Sequence, residues 1–172
     1  MRLAVLAMLP LLAGCVLQSE KPLITDANAI SIFGDKPVDL QGFQWQDGGW
    51  LAADPPVITV VPEGNHYIAP NLDDGTDPAK IARYYFLPLG EGQLLIEVVT
   101  KDTVEYAAAS WDGTEMLAAA FDCAALQGKK GVEALVAFDG DNCSLKPGAA
   151  DVTAVFTTLM ADLPAPSMRL LR

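Results

Sequence analysis

Between Ile30 and Phe121 the chain alternates short apolar runs with glycine, proline and aspartate, and the runs are of strand length, too short for ordinary helices. Residues 30–33, ended by Gly34, read as the first strand. Phe43, Gln44, Trp45 and Gln46 lead into Asp47 and Gly48, a pair suited to the positive φ angles of a two-residue type I′ turn. In that register Gln46 faces Gly49 and Trp45 faces Trp50, which puts both indoles on one face as a cross-strand pair covering core. Pro55 and Pro56 interrupt the chain before the β-branched run 57–61, and residues 66–69 return with the only histidine, His66. Segments 83–89, 93–100, 103–111 and 114–121 then form a meander, with turns at 90–92, at 101–102 and, by a second type I′ signal, at Asp112 and Gly113.

Apolar residues occupy both faces of the meander, so both faces need cover. Ala107, Ala108, Ala109, Ala118, Ala119 and Ala120 lie on adjoining strands and permit close approach of a covering element. Residues 132–138 read as one more strand, 139–142 as a turn and 143–145 as a short extended segment. The period then changes. Val152, Val155, Phe156, Leu159, Met160 and Leu163 recur at steps of three and four, one face of an amphipathic helix with Asp151 near its positive end and Pro164 and Pro166 stopping it. The expected fold is mainly β: a single antiparallel β-rich domain of about eight to ten strands, a meander forming a sandwich or partly closed barrel, with one packed C-terminal amphipathic helix.

The N-terminus has a different pattern. Met1 and Arg2 precede an apolar run from Leu3 to Leu12, followed by Ala13 and Gly14, a secretory signal too short to span a bilayer. Leu12, Ala13, Gly14 and Cys15 resemble the lipobox of bacterial lipoproteins. The resemblance covers about the first sixteen residues. It implies cleavage before Cys15, a diacylglyceryl group on the Cys15 sulfur and attachment to the membrane through acyl groups, which hold far better in twos and threes than singly. Val16 stands where inner-membrane lipoproteins of many Gram-negative bacteria carry aspartate, so the resemblance points to the outer membrane, facing the periplasm. The expected organisation is a signal peptide at 1–14, a lipidated cysteine and flexible tether at 15–28, and a β-rich periplasmic domain at 29–172.

Loss of residues 1–14 removes only Arg2 from the charged set and leaves ten basic against twenty-two acidic residues. Such a surface disfavours nucleic acid and anionic lipid and favours a cationic partner. With Cys15 lipidated, Cys123 and Cys143 remain as an even pair in an exported chain, which reads as one disulfide.

Reactive constellations are scarce. His66 is a base in search of a nucleophile, and Ser31, Ser110 and Ser144 lie in no nucleophile-elbow pattern. Asp73 and Asp74 form a carboxylate pair, but the loop 71–78 fails the calcium-loop spacing, with Leu72 and Pro70 where ligands belong. No catalytic residue, metal ligand or cofactor is assigned. The expected role is non-catalytic: a binding or structural module for an envelope protein partner, with Trp45 and Trp50 as a candidate binding face. The alternatives are a lipocalin-like carrier of a small apolar ligand, by fold analogy, and an inhibitor of a cationic lysozyme-type enzyme. For the latter, Ser110, Trp111, Asp112 and Gly113 are only loosely similar to the serine and glycine loop of β-barrel lysozyme inhibitors, and no residue role is carried over.

Overall fold

The computed structural model describes residues 16–70, 81–146, 152–160 and 165–172. Cys15, the loop 71–78, Asp151 and Leu163 lie outside the described residues. Seven strands follow one another as a meander: β1 (Val38–Gln46), β2 (Gly49–Glu63), β3 (His66–Pro70), β4 (Ile81–Gly90), β5 (Gln93–Val99), β6 (Val104–Trp111) and β7 (Glu115–Ala120). After them come α1 (Cys123–Leu126), α2 (Val132–Leu135), the hairpin β8 (Val136–Asp139) and β9 (Asn142–Leu145), α3 (Val152–Met160) and β10 (Met168–Leu171). β10 pairs antiparallel with both β7 and β1 and closes an eight-stranded barrel in the order β1-β10-β7-β6-β5-β4-β3-β2. Closure leaves no barrel strand with an unpaired edge.

Local chemistry explains the turns. Asp47 and Gly48 have φ of 52° and 83°, and Trp45 pairs with Trp50 as the dipeptide requires. The second expected type I′ turn is not formed. Trp111 pairs with Met116, so the loop spans residues 112–115, because the Asp112 carboxylate accepts the backbone N–H groups of Thr114 and Glu115, each at 2.8 Å. Pro55 and Pro56 do not break the sheet either. They lie inside the long β2, where the register passes from Gln41 opposite Val57 to Phe43 opposite Ala52, and residues 53–56 bulge where no ladder donor is needed.

Strand alternation divides the apolar residues into two cores separated by the barrel wall. Leu40, Val60, Tyr67, Phe86, Ile96 and Met116 fill the inside. Outside, Leu95, Tyr106 and Phe121 are covered by α3, whose Phe156 ring lies 4.9 Å from Tyr106 and 5.4 Å from Phe121. The covering helix is thus present with Val155, Phe156, Leu159 and Met160 buried. The alanine stripe serves both cores: Ala107, Ala109 and Ala118 face in, and Ala108 faces out.

Further expectations are corrected. Residues 30–33 are not a strand; the segment turns Phe33 into the barrel, the Phe33 N–H donating to the Tyr67 hydroxyl at 2.9 Å. Residues 132–135 form a turn of helix before β8 begins at Val136. Residues 168–171, to which no element was assigned, form the closing strand, with Met168 and Leu170 pointing inward. The tether expected over 15–28 is, from Val16 on, folded against the barrel wall. Val16, Leu17, Ile24 and Ala29 are buried, with the Leu17 N–H donating to Phe121 O at 2.9 Å and the Gln18 N–H to Cys143 O at 3.1 Å.

Candidate functional site

Topology gives the barrel two unlike ends. At one, where β1 begins and β4 and β6 finish, Phe33 stands edge-on to Tyr67, Phe86 and Trp111, with centroids at 5.3, 5.6 and 5.3 Å. The Tyr67 hydroxyl accepts from the Phe33 N–H and donates to Gly34 O at 2.8 Å, so backbone and ring are held together. This is an aromatic plug. At the other end are the β1–β2 turn carrying Trp45 and Trp50, the β5–β6 turn and the exit of β7.

Between these ends the barrel encloses a cavity of about 70 Å³, bounded by Leu40, Val60, Tyr84, Ile96, Val98, Met116, Met168 and Leu170 among others. The wall is apolar apart from the hydroxyls of Tyr67 and Tyr84. Exposure rises along its length: Phe33, Tyr67, Phe86 and Met116 are fully buried, whereas Tyr84, Val98 and Met168 are half-buried. Among the described residues, the more exposed lining thus lies toward the Trp45 end. An eight-stranded barrel is just wide enough for side chains or one small ligand. Here small residues at Ala69 and Ala107 keep the middle from filling. Ligand pockets commonly measure about 300–1,000 Å³, so this one admits a slim apolar group, not a bulky ring system.

The Trp45 and Trp50 rings meet edge-on, centroids 5.3 Å apart. Trp45 is 49 % exposed, and Leu51 beside it 51 %. The pair was expected to cover core; it stands instead on the outer face of the hairpin, beside the start of β10, with Trp45 left largely exposed. Trp45 N–H still donates to Ser167 O at 2.9 Å, which anchors the hairpin base.

His66 is buried, stacked on Tyr85 at 4.6 Å and held between carboxylates, with Nδ1 2.8 Å from Asp26 Oδ1 and Nε2 3.1 Å from Glu63 Oε2. Both ring nitrogens are engaged, and neither faces Ser31, Ser110 or Ser144. Burial raises the Tyr85 hydroxyl above its usual range, with Asp26 adding to the effect. The arrangement fastens the N-terminal segment to the β2–β3 turn. Among the described residues no three His, Cys, Asp or Glu side chains form a metal-binding group. Asp73 and Asp74 lie outside the described residues.

Cys123 and Cys143 are joined as expected, Cα atoms 5.5 Å apart, and tie the β8–β9 hairpin to the segment leaving β7. Glu97, to which the sequence assigns no role, is the most buried charged group among the described residues. It lies fully buried on the outer barrel wall, against Leu23 and Ile24 of the N-terminal segment. Its carboxylate accepts the Leu23 N–H at 2.7 Å, the Ile24 N–H at 3.1 Å and the Tyr106 hydroxyl at 3.0 Å. Burial raises its pKa from the usual 4.5, against the lowering effect of those bonds. The signal was visible as one charge inside the apolar strand Leu94, Leu95, Ile96, Glu97, Val98, Val99.

At the Phe33 end, Glu91, Ser110, Trp111, Asp112 and Glu115 border an open groove of about 250 Å³. Hydrogen bonds from Glu115 and Thr114 hold the exposed Asp112 carboxyl below its usual range. Arg169 reaches Glu115 from β10 and lies 5.8 Å above the Phe43 ring. The chain matches no protein-family model, no curated protein and no solved structure.

Proposed function

We propose that this protein is a non-catalytic, lipid-anchored envelope module whose barrel binds a slim apolar ligand, such as the end of a single alkyl chain. One observation carries the reading: a closed up-and-down barrel with an apolar cavity that is plugged at one end and increasingly exposed toward the other. Lipocalins share that architecture, and the parallel is one of fold alone. Anchorage through Cys15 at the outer membrane rests on the lipobox resemblance of Leu12–Cys15 and on Val16. The Cys15→Ser protein, freed from its acyl groups and purified from its own envelope, is expected to carry a small apolar molecule detectable by native mass spectrometry. Uniform recovery of the bare polypeptide mass, with no uptake of an added short-chain alcohol, contradicts the carrier reading.

A second reading draws on the groove edged by Glu91, Ser110, Asp112 and Glu115, whose acidity suits a cationic protein such as a basic muramidase. It predicts salt-sensitive binding with loss of muramidase turnover. Unchanged turnover at low ionic strength ends it.

A further inference from the structure

The first described residue, Val16, the exposed indoles and the more exposed part of the cavity lining all lie at one end of the barrel. Val16 bridges to Asp122 just past the end of β7, and Leu17 is clamped between Phe121 O and the Tyr106 N–H at the start of β6. Both strand ends belong to the Trp45 end. Cys15 is the residue before Val16, which is buried, and Leu17 beyond it is hydrogen-bonded to the wall. There is no slack chain after Val16 to let the domain stand away from acyl groups on Cys15.

From this geometry we propose that the Trp45 end is a membrane-docking surface, with the Trp45–Trp50 hairpin seated in the interface of a zwitterionic bilayer. The proposal rests on the lipid-anchor reading above. Indoles favour the boundary between headgroups and hydrocarbon because the ring is apolar and the N–H is not. Here the edge-on pair occupies the outer face of the hairpin tip, and Leu51, half exposed, occupies the inner face beside the barrel mouth. The strongly acidic chain opposes anionic lipid, so the apolar tip and the acyl groups do the docking. Asp47 at the turn keeps the insertion shallow, at headgroup depth. The Phe33 end then faces the periplasm, and an apolar ligand passes between bilayer and cavity without crossing bulk water.

The test uses the acylated protein in phosphatidylcholine vesicles, with and without bromine on the lipid chains. The chain holds three tryptophans, and Trp111 is at the far end of the barrel. Brominated lipid is expected to quench wild-type emission and the Trp111→Phe variant, and to leave the Trp45→Phe/Trp50→Phe variant unquenched. Equal quenching of both variants, or none in Trp111→Phe, overturns the proposal. Failure of the wild type to float with vesicles overturns it through the anchor, whereas ligand uptake by the Cys15→Ser protein reads the cavity separately.

Discussion

Glu97 shows how one buried carboxylate organises residues far from it in sequence. It gathers two backbone donors of the N-terminal segment and one hydroxyl of β6, so its removal strands all three. Glu97→Ala is expected to lower stability by about 3 kcal/mol or more, since buried donors without partners cost about 1–3 kcal/mol each. Chemical denaturation measures this. The sign of its pH dependence follows from the raised pKa: the folded state binds the proton more tightly than the unfolded state. Stability is therefore greatest below the unfolded carboxylate range and declines as pH rises through the higher folded value. Glu97→Gln keeps an acceptor and removes the titration. Its denaturation midpoint is expected to lack that part of the wild-type decline, and identical pH profiles for the two proteins contradict the assignment.

At the scale of elements, the plug and the staple make separable predictions. Phe33→Ala removes a ring wedged among Tyr67, Phe86 and Trp111; it is expected to cost about 3–5 kcal/mol, as Phe→Ala changes in cores do, and to admit a bulkier apolar probe. Thermal unfolding and probe titration report the two effects together. Removing the disulfide with Cys123→Ala and Cys143→Ala is expected to cost roughly 3 kcal/mol by loop entropy, with the barrel ladder retained by circular dichroism. The hairpins and α3 were legible because their signals are local: Asp47–Gly48 sets its own turn, and the three-and-four spacing from Val155 to Met160 marks a face. β10, the Phe33 plug and the folded 16–28 segment were not. Each depends on partners distant in sequence, as when Gln41 pairs with Leu171 or Glu97 collects Leu23 and Ile24. Four residues such as Met168–Leu171 carry no strand signal until a barrel has a gap for them.

For the whole molecule, two cores on opposite sides of one wall divide the labour. The outer core, sealed by α3, the disulfide-tied hairpin and the N-terminal segment, makes the wall rigid. The inner core is left incompletely filled where Ala69 and Ala107 line the cavity together with Met116 and Met168. That division is why a cavity persists in so narrow a barrel, and it makes the methionines natural reporters. Apart from Met1 and Met8 in the first fourteen residues, the methionines are Met116, Met160 and Met168, two on the cavity wall and one on α3 in the outer core. The most direct test is methyl NMR of the methionine-labelled Cys15→Ser protein titrated with 1-hexanol. Saturable shifts of the Met116 and Met168 methyls, with Met160 unmoved, are the predicted result. No shift up to the solubility limit, or equal movement of all three, contradicts ligand binding within the barrel.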